Sequence, residues 1–258
     1  LPLALYPTTS GTGSEVTPIS IITQDDLEKK GVSSPLILPD LAILDPLLTI
    51  GLPPHITAAT GVDAMVHAIE SYASKSVNNN LISKMLAKEA LRLLGGSIEI
   101  AVSNGSDLEA RSNMLLGSML AGSSFGNSPV AGVHALAYPI GGKYHIPHGL
   151  SNAIVLPYVL RFNIKDQNAA QLYSEIAPII FPEMENSTSA QDISTKFIEN
   201  LSKLSSNLGL EQRLRDVGIP ENACESMTKD AMKQTRLLIN NPKEITENDA
   251  YDIYKSAW

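Results

Sequence analysis

Residues 131–149 read Ala131-Gly-Val-His-Ala-Leu-Ala-Tyr-Pro-Ile-Gly-Gly-Lys-Tyr-His-Ile-Pro-His-Gly149, and the histidines of this stretch indicate a functional site. It holds three of the five histidines, which are His134, His145 and His148. Pairs of small residues precede and follow an apolar turn with helical spacing. Because small residues let backbone or a ligand approach closely, the imidazoles between them can converge on one point.

A second segment supplies partners for these histidines. Apolar residues recur at helical spacing from Ile56 to Tyr72, and within this segment Asp63 precedes His67 by four residues. Positions i and i+4 share one face of a helix, about 5–6 Å apart at Cβ. One carboxylate and one imidazole can therefore meet His134 and His148. Such a mixed set of ligands predicts a site for Fe²⁺ or Zn²⁺, and the lack of a thiolate excludes a zinc finger.

Each of these residues also has a simpler interpretation. Asp63 can lie on a solvated stripe of its helix, and His67 can be a buried histidine hydrogen-bonded to a carbonyl. Glu70 is expected to face solvent. Tyr138, four residues after His134, is expected to face the same cavity, whereas His145 either relays a proton or binds substrate there, or lies outside the site.

Composition excludes several classes of function. The 258 residues are 43% hydrophobic and 18% charged, which is an ordinary globular balance. With 27 acidic and 19 basic residues and no cluster of Lys or Arg, nucleic acid is not an expected partner. No apolar run is long enough to span a membrane, and no secretory signal opens the chain. One cysteine, Cys224, cannot form an intramolecular disulfide, so a reducing cytoplasm is the expected compartment.

The periodicity divides the chain near Asp45-Pro46. Residues 1–46 have β character, with a β-branched run at Ile19–Thr23 and apolar pieces at Leu36–Leu38 and Leu41–Leu44. Residues 47–258 predict a mainly α fold, a bundle of roughly eight to ten helices with short loops. Predicted helix starts include capping boxes at 106–109 and 246–249.

The segment from Pro7 to Pro18 is rich in hydroxyl groups and glycine. Such a composition offers backbone N–H and side-chain O–H groups to a phosphate or a ribose. A solvated turn between two strands is the alternative, and on composition alone the simpler one.

Several motifs in order resemble the iron-containing (group III) alcohol dehydrogenases. They are Thr8-Thr-Ser-Gly-Thr-Gly-Ser-Glu-Val-Thr17, Leu41-Ala-Ile-Leu-Asp-Pro46, Thr60-Gly-Val-Asp-Ala-Met-Val-His-Ala-Ile-Glu70, His134-Ala-Leu-Ala-Tyr-Pro139 and Pro147-His-Gly-Leu-Ser-Asn-Ala153. The similarity continues to the closing segment 245–258. In that family a Rossmann-like nucleotide-binding domain precedes an all-helical metal domain. The resemblance therefore implies that residues 1–46 are a β-rich remnant of the first domain and residues 47–258 the second.

The resemblance also implies roles for individual residues. Asp63, His67, His134 and His148 would bind Fe²⁺, or Zn²⁺ in its place. The cofactor NAD(P) would be contacted by Thr8, Thr9, Thr12 and Lys30. Small alcohols would be oxidised and aldehydes reduced by hydride transfer, with the metal polarising the substrate oxygen. The enzyme is expected to be a homo-oligomer, most simply a dimer.

Two departures from the family pattern bear on activity. The glycine-rich loop that binds pyrophosphate in the family lies upstream of the first residue here, so the chain is expected to be a fragment with weak NAD(P) binding and no turnover of its own. Some members have a histidine where this chain has Tyr138. The family's proton relay through this position is therefore not carried over, and His145 is expected to take part instead. Tyr138 and His145 are both candidate catalytic residues.

Two rival interpretations stay open at this point. One is another enzyme on the same fold, either a metal-dependent lyase of the dehydroquinate-synthase type or an enzyme similar to glycerol dehydrogenase. The lyase would be expected to carry more Lys and Arg around its metal, to hold a phosphorylated substrate. The other is a helical module without catalytic activity that binds metal incidentally.

Overall fold

The computed structural model describes residues 2–23, 29–184 and 189–258. Two pairs of short strands lie in the first part. Strand β1 (Ala4–Leu5) pairs in parallel with β4 (Leu41–Ala42), and β2 (Ile19–Thr23) pairs antiparallel with β3 (Lys29–Ser33).

The predicted strand over residues 19–23 is confirmed, but the apolar piece Leu36–Leu38 is not a strand. Pro35–Ile37 form one 3₁₀ turn instead. Ser34 caps this turn by accepting a hydrogen bond from the N–H of Leu36, and Pro35 has the fixed φ that suits a first helical position. Local turn chemistry therefore overrides the apolar character of this piece.

The remainder is helical, as the periodicity predicts. The α-helices of the described residues are α1 (Pro54–Ala73), α2 (Leu81–Ser103), α3 (Leu108–Asn127), α4 (Gly132–Tyr144), α5 (His148–Asn163), α6 (Gln167–Ile180), α7 (Ala190–Asn207), α8 (Ala223–Ala231), α9 (Thr235–Leu238) and α10 (Glu247–Ala257). Within the described residues every strand lies between residues 4 and 42 and every α-helix after residue 53. That order agrees with a boundary near residue 46, and the division into two domains stays a prediction.

Helix α1 is the centre of the bundle. Its residues from Thr57 to Ala73 are all buried except Thr60, because α2, α3, α5 and α6 pack around it. Small and apolar side chains on every face of this helix make such all-round burial possible. Any polar side chain on α1 therefore needs a partner inside the protein.

Helices α10 and α3 each begin with a side-chain cap, but only one of the two predicted capping boxes forms. Thr246 opens α10 with a capping box: its hydroxyl accepts from the N–H of Asp249, whose carboxylate accepts from the N–H of Thr246. At α3 the predicted box at Ser106 is wrong. Asp107 is the cap there, accepting from the N–H of Ala110 at 2.9 Å.

The hydroxyl-rich loop lies directly on α3. Gly13 has a φ of 58°, and a Cβ at this position would lie 2.6 Å from the Cα of Gly122 in α3. Only glycine allows this backbone conformation and this close approach together. The contact places the loop beside the face of α1 that carries His67.

No helix within the described ranges is both long and apolar enough to cross a bilayer.

Candidate functional site

Three helices bring one carboxylate and three imidazoles to a common point. Helix α1 supplies Asp63 and His67, α4 supplies His134 and α5 begins with His148. One ligand atom from each of the four residues lies within 4.8 Å of all the others. The Nε2 atoms of His134 and His148 are 3.9 and 3.8 Å from Oδ1 of Asp63. Asp63, His67 and His134 are buried, and His148 is partly exposed.

The orientation of His67 is fixed by the hydroxyl-rich loop. Its Nδ1 donates a hydrogen bond to the carbonyl oxygen of Gly11 at 3.1 Å, which leaves Nε2 with a free lone pair. The ring stacks between Phe125 and His134, with centroids 4.5 and 4.7 Å away. Burial lowers the pKa of His67 to about 3, although the nearby Asp63 carboxylate acts in the opposite direction. The ring is therefore neutral near pH 7, as a metal ligand must be.

Glu70 orients His134. Its Oε2 accepts from Nδ1 of His134 at 2.6 Å and from the N–H of Ala131 at 3.0 Å, and its Oε1 accepts from the N–H of Val133 at 2.6 Å. The expectation that Glu70 faces solvent is wrong, because this residue is 5% exposed. One carboxylate thus caps the start of α4 and holds Nε2 of His134 toward the other ligands, as carboxylates behind metal-bound histidines do.

Asp63 is kept ionised by its neighbours. Burial alone would raise the pKa of this carboxyl, but His148, His67 and His134 together with a hydrogen bond from Asn152 outweigh burial, so the pKa lies below its usual value. A buried carboxylate beside three imidazole rings is an arrangement that a divalent cation completes. The donor set fits a borderline ion such as Fe²⁺ or Zn²⁺.

The cluster forms one wall of a cavity of about 690 Å³ that lies between α4, the loop before β2 and the β2–β3 hairpin. The hydroxyl-bearing residues Thr12, Ser14, Ser20 and Ser33 also line this cavity. The cavity therefore combines the cluster of candidate metal ligands with residues that can form hydrogen bonds.

Tyr138 and Arg236 line the same cavity. The ring of Tyr138 lies 6.1 Å from that of His148, which confirms the expectation that this side chain faces the cluster. Burial raises the pKa of the Tyr138 hydroxyl, and interaction with the Arg236 guanidinium opposes the shift. Arg236 also packs against the β2–β3 hairpin, since a Cβ at Gly31 would lie 2.8 Å from its Nη2.

Of the remaining residues predicted for the site, some line the cavity and others do not. Thr12 lines the cavity, while Thr8 and Thr9 are not among its lining residues. The backbone of Lys30 lies in β3, and its side chain lies outside the described residues. His145 ends α4 with a φ of 56°, is exposed, and is not among the described residues that line the cavity.

Sequence reasoning missed three parts of this site. Glu70 and Asn152 carry a usable signal, since they follow His67 by three and His148 by four residues on the same helices. Arg236 carries none, because tertiary packing alone brings α9 to the cavity.

Two family descriptions match the chain. Residues 57–258 match the family described as "Fe-containing alcohol dehydrogenase family, C-terminal", and residues 1–46 match "Iron-containing alcohol dehydrogenase". The chain belongs to the iron-containing alcohol dehydrogenase family. This family is the one that the sequence motifs indicate, and its all-helical C-terminal fold is the one observed.

Named relatives in the iron-containing alcohol dehydrogenase family cover the chain completely. Long-chain-alcohol dehydrogenase 1 of Geobacillus thermodenitrificans is 44% identical over 100% of the chain and 64% of its own length. A crystal structure of 1,3-propanediol oxidoreductase superposes with a TM-score of 0.94 at 37% identity, over 100% of the chain and 66% of the other. Sulfoacetaldehyde reductase from Bifidobacterium kashiwanohense, solved with NAD⁺, gives 0.85 at 32% identity, over 100% and 65%. The chain thus spans just under two thirds of the length of these relatives.

The role of Glu70 gives a first testable prediction. Glu70→Gln replaces one acceptor oxygen by an N–H₂ group, so one of the donors at the start of α4 loses its partner. We expect a loss of about 1–3 kcal/mol in the free energy of unfolding and about a 10–100-fold loss in metal affinity. Urea unfolding and chelator competition measure the two.

Glu89→Gln is the matched control for this prediction. Glu89 lies on the surface of α2, where it pairs with Arg92. Its replacement should change stability by less than about 0.5 kcal/mol. If both variants unfold at the same urea concentration, Glu70 does not hold α4 in place.

Proposed function

We propose that this chain carries the metal centre of an NAD(P)-linked alcohol dehydrogenase that interconverts small alcohols and aldehydes. The observation that carries the proposal is the convergence of Asp63, His67, His134 and His148 on the wall of a large cavity. When bound, the ion supplies Lewis-acid polarisation of a substrate oxygen and NAD(P) supplies the hydride chemistry.

The residues of the chain have distinct roles in this proposal. Four side chains hold the ion, as Fe²⁺ or Zn²⁺, and Glu70 and Gly11 fix two of the imidazoles in the tautomer in which Nε2 carries no proton. The loop around Thr12 faces the cofactor across the cavity. Tyr138 is kept neutral by its raised pKa, so its hydroxyl can donate a hydrogen bond to the substrate oxygen.

Alcohol dehydrogenase is preferred to the lyase and to the module without activity for two reasons. Relatives that cover the whole chain are named dehydrogenases, 1,3-propanediol dehydrogenase of Klebsiella pneumoniae among them. A module that bound metal incidentally would also have no need for supporting groups behind the ligands, and here Glu70 and Gly11 provide them.

The decisive experiment has two parts. Anaerobic reconstitution of the 258-residue chain followed by metal analysis should find one ion per chain. Hydride transfer between NADH or NADPH and a panel of aldehydes is then assayed in the whole protein in which this sequence occurs. An ion without any hydride transfer to the panel would reject the dehydrogenase and leave a metal-binding protein of another class.

The 258-residue chain itself should bind NAD(P)H weakly and lack turnover. The cavity offers hydroxyl groups to a nucleotide, but among its described lining residues only Arg236 carries a positive charge for a pyrophosphate. Titration of the chain with NADH, beside the whole protein, tests this expectation. Micromolar binding with turnover by the chain would contradict it.

Assembly as a homodimer stays a prediction, which light scattering can test.

Tyr138→Phe should lower kcat about tenfold with the metal content unchanged, because only one hydrogen-bonding group is lost. Tyr251→Phe on the exposed face of α10 is the control and should leave kcat as it is. A loss for Tyr138→Phe as large as that caused by removing a metal ligand would make this hydroxyl the main proton donor.

A further inference from the structure

Asn152 lies against the ligand cluster without being one of its four members. It is fully buried on α5, one turn after His148. Its Nδ2 donates to Oδ1 of Asp63 at 2.6 Å and lies 3.2 and 3.3 Å from Nε2 of His134 and His148. One amide nitrogen thus touches the atoms of three of the four predicted ligands.

The other end of this amide has no partner. Oδ1 of Asn152 is one of the few buried side-chain oxygens of the described residues without a hydrogen bond. The orientation of the Asn152 amide is therefore determined only by the contacts that Nδ2 makes. Oδ1 of Asp63 is an acceptor, and so is Nε2 of His134, because Nδ1 of that ring donates to Glu70, so these two atoms favour the N–H₂ group.

A bound cation reverses this preference. An ion held by Asp63, His134 and His148 uses the same lone pairs that Nδ2 contacts, and the hydrogens of the amide would then face a positive charge. Rotation of the amide by about 180° would exchange its nitrogen and oxygen, two atoms of nearly equal size. Oδ1 has no hydrogen bond to lose in this rotation, and carbonyl oxygens bind divalent metals.

We propose that Asn152 is a fifth member of the metal site, which donates to Asp63 when the ion is absent and turns its carbonyl oxygen toward the ion when it binds. This inference rests on the metal centre of the proposed function. It adds a neutral oxygen ligand to the set of one carboxylate and three imidazoles.

Three substitutions separate this role from simple support of Asp63. Asn152→Leu has nearly the same size but no polar atom, and we expect metal affinity to fall about tenfold or more. Asn152→Asp keeps an oxygen ligand and loses the donor, so it should bind Zn²⁺ at least as tightly as the wild type. Asn207→Asp, at the exposed end of α7, is the charge-matched control and should leave affinity unchanged.

The measurement is chelator competition with Zn²⁺, followed by thermal unfolding with and without the ion. Asn152→Asp should be the least stable of the proteins without metal, because two carboxylates then face each other, and should gain the most stability from Zn²⁺. Co²⁺-loaded wild type and Asn152→Asp should have similar d–d absorption bands, different from those of Asn152→Leu.

Each outcome of these measurements either supports or contradicts metal binding by the carbonyl oxygen of Asn152. If Asn152→Asp binds Zn²⁺ as weakly as Asn152→Leu, Asn152 acts only as a donor to Asp63 and the inference is wrong. If the wild type binds no ion, both this inference and the metal centre fail. If the wild type binds Zn²⁺ but the whole protein transfers no hydride, the dehydrogenase proposal fails while the test of Asn152 stands.

Discussion

His134→Ala should remove the bound ion and reduce turnover by at least about a thousandfold, since a Lewis acid contributes several kcal/mol to the barrier and each 1.36 kcal/mol is a factor of ten. The effect is large because His134 contacts the rest of the cluster. Its ring stacks on His67 and contacts His148, and its Nε2 lies 3.9 Å from Oδ1 of Asp63 and 3.2 Å from Nδ2 of Asn152. Its loss therefore opens a gap that no neighbouring side chain fills.

Metal analysis of the purified variant, together with kcat in the whole protein, tests this expectation. His55→Ala is the matched control, because His55 is exposed near the start of α1 and should keep one ion per chain. If His134→Ala retains a full equivalent of metal and its activity, the ion is bound elsewhere and the assigned cluster has another role.

Gly149→Ala should produce the second large effect, although it removes no functional group. A Cβ at Gly149 would lie 2.3 Å from the carbonyl oxygen and 2.7 Å from the carbonyl carbon of Ala59 in α1. Both atoms belong to the backbone, so no side-chain rotation relieves the clash, and α5 must move away from α1. Because His148 and Asp63 lie beside this contact, the movement separates two of the ligands.

We expect Gly149→Ala to cost about 1–3 kcal/mol of stability, as overpacking of a core does, and to weaken metal binding at least about tenfold. Gly96→Ala is the control. Gly96 lies inside α2 with no atom within 4 Å of an added Cβ, and alanine there should stabilise the protein by about 0.5–1 kcal/mol. Urea unfolding with and without Zn²⁺ measures both effects. Equal stability and equal affinity of the two variants would show that the α1–α5 contact does not set the ligand spacing.

The parts of the site that the sequence predicts are those determined by local spacing. Asp63 and His67 are four residues apart on a helix, so their shared face follows from helix geometry alone. Glu70 was misjudged because α1 is buried on all sides, so the apolar residues at helical spacing from Ile56 to Tyr72 do not mark its only inner face. Whether a polar residue on such a helix faces water depends on which helices surround it.

His145 and β3 show two further limits of local patterns. The left-handed φ of His145 ends α4 and separates this residue from the helix that carries His134. Strand β3 contains Lys29, Lys30 and Gly31, a sequence without the alternation of a strand, and it forms because it pairs with β2. Both features arise from contacts and turns that no short sequence window contains.

The hydrogen bond between Gly11 and His67 couples the two halves of the cavity. Gly11 belongs to the loop that faces the proposed nucleotide, and its carbonyl oxygen holds the imidazole of a metal ligand. A nucleotide that shifts this loop would change the energy of the His67 ring, and an ion that pulls on the ring would change the energy of the loop. By thermodynamic reciprocity, each ligand then alters the affinity of the other by the same factor.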